Sequence, residues 1–121
     1  MPPSSTKDAQ TNAEQLDRIF RALGDRTRRA MLQRLATGPA TVSELAEPFD
    51  ISLAGASKHL KVLEHAGLTT RTVEGRVRRC TLTAQPLHAA STWIAAYRPF
   101  WESALDSLAE YMQTQPLQPK P

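Results

Sequence analysis

Cysteine occurs once, at Cys80, so no disulfide can form within the chain, and one thiol without several other ligands cannot build a zinc site. Histidine is nearly as sparse. His59, His65 and His88 lie at spacings that match no zinc motif, which favours surface or partly packed side chains over ligands. No apolar run approaches the roughly 20 residues of a membrane span, and the start lacks a basic-then-apolar leader, so the expected location is the cytoplasm. Of five glycines, Gly24, Gly38, Gly67 and Gly75 fall at the ends of expected elements, and none forms a phosphate-binding loop. No nucleophile is paired with a base and no two carboxylates are set together for acid-base work, so an enzyme is not expected.

What remains is a basic, moderately apolar chain. With 121 residues and 40% apolar content it has material for one modest core and one domain, expected over 11–112. The ends, "MPPSSTKDAQ" (1–10) and "QTQPLQPKP" (113–121), are rich in Pro, Ser and Gln and poor in large apolar residues, and are expected to be flexible arms. The pI near 9.4 leans towards an anionic partner. The formal net charge of +3 is unevenly spread. Between Ser52 and Thr83, Lys58, Lys61, Arg71, Arg76, Arg78 and Arg79 stand against Glu64 and Glu74, a net of +4; between Ala84 and Met112, Arg98 stands against Glu102, Asp106 and Glu110, a net of −2. A basic middle and an acidic end fit separate binding and assembly surfaces.

Caps and periodicity place the helices. Thr11 to Glu14 has the Thr-x-x-Glu form of a capping box, followed by Leu16, Ile19, Phe20 and Leu23 on one face and Gly24 as a stop, a helix over 12–23. Asp25 caps a second helix, 26–36, whose Ala30, Met31, Leu32 and Leu35 face inward until Gly38-Pro39. Thr41 to Glu44 is a second capping box, opening a short helix closed near Pro48. Ser52 caps a fourth helix, 53–66, with Ala56, Leu60 and Leu63 inward. A short helix, a turn of about four residues and a longer basic helix form a helix-turn-helix. "LTTRTVEGRVRRCTLT" then alternates around Glu74-Gly75 as a two-stranded hairpin, a wing carrying Arg71, Arg76, Arg78 and Arg79. From Gln85 to Met112 a stripe of Leu87, Ala90, Ile94, Tyr97, Trp101, Leu105, Leu108 and Met112 keeps phase through Pro99, which predicts one long helix kinked there, because Arg98 is a poor cap for a fresh start. The fold class is therefore mainly α with a two-stranded wing: four helices, two strands and a fifth helix.

The pieces "ALGDRTRRAMLQRL", "SKHLKVLEHAGL" and "EGRVRRCTL", in this order over residues 19–82, resemble the ArsR/SmtB family of winged-helix transcriptional regulators. The terminal "PLHAASTWIAAYRPFWESALDSLAEYM" is similar to a branch without metal ligands, in which a long last helix packs with the first across a two-fold dimer. The resemblance implies a homodimeric repressor on an inverted-repeat operator in double-stranded DNA. It places Ser52, Ala54, Gly55, Ser57 and Lys58 towards the bases, and Thr41, Ser43, Lys61, Arg76 and Arg78 towards phosphate or the neighbouring minor groove. The same resemblance assigns Leu16, Ile19, Phe20, Trp93, Tyr97, Trp101, Leu105, Leu108 and Met112 to the dimer interface. Metal-sensing members carry a Cys-x-Cys-type motif on the third helix, where this chain has "SELAEPFD", or paired Asp/His and His/Glu ligands on the last, where it has His88 and isolated acids. No metal and no cofactor is expected, so regulation is expected from an unidentified small-molecule effector near the aromatic helix or from protein concentration.

Some residues keep two readings. Gly55, the one glycine spent inside a helix, either lets the backbone approach DNA or packs closely against a neighbouring helix. Trp93, Tyr97, Phe100 and Trp101 suit a dimer core better than a ligand pocket. Cys80 on the second wing strand suits packing better than redox chemistry, and "RTRR" at 26–29 suits local pairing better than DNA contact. For the whole chain, a winged-helix module for protein or RNA stands as the alternative to a DNA-binding regulator.

Overall fold

Ser52 starts the helix on which the rest of the fold is arranged: its Oγ accepts the Gly55 N–H at 3.0 Å, satisfying one of the orphan donors of the first turn. The computed structural model describes residues 5–114 and places this helix at Leu53–His65. Its other end closes in a Schellman motif. Leu68 N–H reaches back to the Leu63 carbonyl and Gly67 N–H to the Glu64 carbonyl, both at 2.9 Å, with Gly67 at φ +77° where a side chain is strained.

In chain order the elements are α1 (Ser5–Leu23), α2 (Arg26–Leu35), β1 (Ala40–Thr41), α3 (Val42–Ala46), a 3-10 turn (Glu47–Phe49), α4 (Leu53–His65), β2 (Thr69–Glu74), β3 (Val77–Leu82), α5 (Gln85–Ala95) and α6 (Arg98–Thr114). The chain divides at Ala90–Ser91 into two compact units. In the first, α4 packs on α1, α2, α3 and β2. Its fully buried Ala56, Leu60 and Leu63 meet a core of Ile19, Ala22, Met31, Leu35, Leu45, Leu68 and Cys80.

Asp25 caps α2, its carboxylate accepting the Arg28 N–H at 3.0 Å. Thr41 and Glu44 complete a capping box on α3, each side chain accepting the other's backbone N–H, at 3.2 and 3.0 Å. The turn into α4 is made by Asp50, in the left-handed region at φ 52°, which Asp tolerates better than most residues. In the wing, β2 and β3 pair antiparallel from Thr69↔Leu82 to Glu74↔Val77, leaving Gly75 and Arg76 as a two-residue turn. Gly75 has φ +64° at the first turn position, as a type II′ hairpin requires.

Three expectations are corrected. The first helix begins at Ser5, not at a Thr11 cap, because no breaker interrupts the stretch before Thr11 and a formed helix extends through it at little cost. The expected arms therefore overlap helix backbone at 5–10 and 113–114; the rest of them lies outside the described residues. The sheet has three strands in the order β1-β3-β2, because Ala40 and Thr41 pair with Cys80 and Arg79. Two residues carry no readable alternation. The last segment is two helices. Pro99 has no N–H for a bond to Ala95, and its ring crowds that carbonyl, so the chain leaves the helix at Ala96–Tyr97 and restarts at Arg98 with Pro99 in the first turn, where no donor is needed.

Both caps hold their carboxyls below the ordinary range: Asp25 chiefly through the Arg28 N–H, Glu44 chiefly through the Thr41 N–H. A depressed folded pKa contributes stability above the unfolded carboxylate value and loses it as pH falls through the folded value. Urea unfolding between pH 7 and 3 should therefore show an acid limb that is shallower in Asp25→Asn/Glu44→Gln, and parallel limbs in the two proteins would contradict it.

Candidate nucleic-acid interface

Four short turns of helix give α4 two different faces. Ala56, Leu60 and Leu63 fill the core, while Ser52, Leu53, Ala54, Lys58 and Lys61 are exposed and Gly55 and Ser57 half-buried. A Cβ added to Gly55 meets Ser52 Oγ at 3.3 Å and Ile51 Cβ at 3.8 Å, with no other element within reach. Close packing against a neighbouring helix is therefore not what Gly55 serves. Its bare surface is open at the very turn that Ser52 caps.

Beside that turn lies a groove of about 420 Å³ lined by Thr41, Val42, Ser43, Leu53, Ser57, Arg71, Arg76, Val77 and Arg78. It brings together five of the expected contact residues, Thr41 and Ser43 at the α3 start, Ser57 on α4, and Arg76 and Arg78 of the wing. Lys58 and Lys61 lie outside it, further along α4, and Ser52, Ala54 and Gly55 sit at the exposed helix entrance. Thr41 Oγ is engaged as the α3 cap acceptor and keeps a hydroxyl hydrogen to donate. Leu53, Arg71 and Val77 were not singled out as contact residues. Leu53 is 57% exposed although it stands three residues before buried Ala56, so its spacing alone reads as core.

Arginines divide into those spent on the fold and those left outward. Arg28 donates from Nε to the Ala22 carbonyl and from Nη2 to the Arg21 carbonyl, both at 2.9 Å, and its Nη1 lies 3.2 Å from His59 Nδ1 on α4. Arg29 gives Nη1 to the Leu23 carbonyl at 2.7 Å. These carbonyls are the orphan acceptors at the end of α1, where a cation is also favoured by the helix dipole. The "RTRR" stretch is thus local pairing, and it ties α1, α2 and α4 at one corner. Arg71 is held by Glu64 at 2.8 Å. Arg76 and Arg78 at the wing are exposed.

Cys80 is buried between β1 and β2, and burial pushes its thiol above the ordinary range despite the nearby Arg71 guanidinium, which disfavours thiolate chemistry. Among the described residues no three of His, Cys, Asp or Glu come together as a metal group. No described helix is long and apolar enough to cross a membrane.

Comparison with known proteins agrees with this geometry. A family profile described as a helix-turn-helix domain matches residues 23–72. The HTH-type transcriptional regulator Rv2034 of Mycobacterium tuberculosis is 38% identical over 82% of this chain and 90% of its own. The transcriptional repressor SdpR of Bacillus subtilis is 30% identical over 65% of this chain and 88% of its own. The crystal structure of an ArsR family transcriptional regulator is 49% identical, covering 75% of this chain and 94% of its own at a TM-score of 0.70. The chain belongs to the ArsR family of helix-turn-helix transcriptional regulators. This is a family of regulators, not of enzymes. A solution structure from Mycobacterium bovis, a homodimeric winged helix-turn-helix DNA-binding domain, is 25% identical over 81% of this chain and 91% of its own, with a TM-score of 0.62.

In this ArsR-family regulator the Gly55 surface can be tested directly. Gly55→Ala gains helix propensity of about 1 kcal/mol but crowds the cap hydroxyl, so its unfolding free energy should stay within about 1 kcal/mol of wild type. Duplex affinity should fall at least severalfold, and unchanged affinity in an anisotropy titration would show that this face does not approach DNA.

Proposed function

We propose that the regulator is a homodimeric repressor that sets α4 of each subunit into successive major-groove faces of an inverted-repeat operator. The observation that carries the DNA reading is the α4 entrance: a stripped, capped helix start beside a groove walled by α3 hydroxyls and wing arginines. Small residues there let the backbone approach base edges. Ser57 and Lys58 read bases by hydrogen bonds, Ala54 meets a thymine methyl, and Ser52 and Gly55 permit the approach. Thr41, Ser43 and Lys61 hold phosphates, and Arg76 and Arg78 reach the backbone or the adjacent minor groove. The similarity to the repressor SdpR supports the repressor role, which the regulator would exercise in the cytoplasm.

Dimerisation is supported by α6. Trp101, Leu105, Leu108 and Met112 recur along one stripe, each more than two-fifths exposed, and Phe100 and Tyr111 widen it. Trp93, Tyr97 and Phe100 form a tilted aromatic row with ring centroids 4.9 and 6.1 Å apart. Large exposed apolar stripes of this kind mark association surfaces, and the homodimeric M. bovis domain shares the fold. Ile19 drops out of the interface set, since it is fully buried in the subunit's own core; Leu16 and Phe20 are half-buried on the same helix. An organic effector, where one acts, meets the aromatic row; Cys80 lies on β3, His59 and His65 on α4 and His88 on α5, and among the described residues no three of His, Cys, Asp or Glu come together to hold a metal.

Two measurements test this reading. Sedimentation at micromolar concentration should give a dimer, and a species of only about 13 kDa, the monomer mass, would defeat it. On a duplex selected from a random pool, Ser57→Ala and Lys58→Ala should lose roughly 1 to 3 kcal/mol of discrimination, while Lys61→Ala and Arg76→Ala should weaken operator and random DNA alike. If Arg76→Ala changed base preference and Lys58→Ala did not, reader and anchor would be exchanged.

A further inference from the structure

α4 is flanked by a second basic cleft. Further along the helix, where α1 packs beside it, Arg18 and Arg21 of α1 face Lys61, Val62 and His65 of α4 around a hollow of about 420 Å³ that shares no residue with the equally large groove at the wing. Arg18 and Arg21 are one helical turn apart, as are Lys61 and His65, so the two helices present paired cationic side chains to one space. None of these four side chains takes part in an ion pair among the described residues, and no described carboxylate lines the hollow. Arg28, Arg29 and Arg71, by contrast, are consumed by internal acceptors.

We infer that Arg18 and Arg21, with Lys61 and His65, grip the second phosphate strand of the major groove that α4 enters, opposite the strand held by the wing. This rests on the DNA reading above and extends it to α1. A helix with its side chains is about 10 to 12 Å across and the major groove is about 12 Å wide, so a helix seated there has a phosphate strand on each flank. The wing supplies Arg76 and Arg78 on one flank. The α1 cleft supplies the matching charge on the other. A small organic anion suits the hollow less well, because it lies open to solvent and such ligands are held in enclosing pockets. The spacing is also set in advance: Arg28 binds the Arg21 carbonyl with Nη2 and approaches His59 of α4 with Nη1, fixing the end of α1 against α4.

The test is the salt dependence of binding, measured by anisotropy across a potassium chloride series with the selected duplex and with random duplex, for wild type and Arg18→Gln/Arg21→Gln. Each released phosphate removes about 0.9 from the slope of log affinity against log salt, so a dimer losing four contacts should be flatter by up to about 3.6. Affinity for both duplexes should fall by the same factor, leaving their ratio unchanged. Single Arg21→Gln, at an exposed position, should give about half the change and guards against misfolding of the double variant. A wild-type slope in the variants overturns the clamp while leaving the DNA reading in place, and so does a thermal shift of wild type by inorganic phosphate or citrate that the variants lose while their slope stays wild type. Wild-type protein that binds no duplex defeats the DNA reading itself.

Discussion

One 13-residue helix must hold the fold together with one face and leave the other face bare. Every large side chain that α4 contributes to stability points inward, where Leu60 and Leu63 have no exposed surface, so the outward face is free to carry serine, alanine, glycine and lysine. Such a face contributes little to stability. Gly55 costs helix propensity, and the burden falls on the ends of the helix: the Ser52 hydroxyl at one and the Gly67–Leu68 closure at the other. The caps are what allow a helix to be this plain along its exposed side.

The cations follow the same division. A basic chain faces the problem that arginine binds backbone carbonyls as readily as phosphate, and the fold resolves it by position. Arg28 and Arg29 stand where α1 ends and its last carbonyls need donors; Arg71 stands beside Glu64. Arg18, Arg21, Lys58, Lys61, Arg76 and Arg78 form no ion pair among the described residues. Net charge alone conceals this, since the residues that give the chain its pI do two kinds of work.

The helix-turn-helix was legible because its signals are local. Asp25, Thr41 and Ser52 were each readable as caps, and each forms the expected bond in the structure. The wing was legible through its alternation and through Gly75. What failed needed a competition between signals to be judged. Thr11 and Glu14 look like a capping box, but that pattern is a cap only if the chain before it is not helical, and here the helix starts at Ser5. The apolar stripe through Pro99 kept its phase, yet phase reports which residues share a face, not whether the backbone bonds continue, and the missing N–H decided that. β1 was invisible because its two residues are specified by their partners Cys80 and Arg79, far along the chain. In the candidate site, Ser52, Ser57, Arg76 and Arg78 were readable from motif and charge. Leu53 was not, and neither was the cleft of Arg18 and Arg21, which exists only because α1 lies beside α4.

Thr41 holds two posts at once. Its backbone is paired with Arg79 of the wing strand, and its side chain caps α3. Together with the Ala40–Cys80 pair and the Arg71–Glu64 bond, Thr41 rivets the hairpin to the helix-turn-helix, and the gap between wing tip and α4 entrance works as a calliper. A duplex whose grooves are narrower or wider than that gap must bend to fit or surrender one set of contacts, so sequences that deform easily are favoured at base pairs no side chain touches.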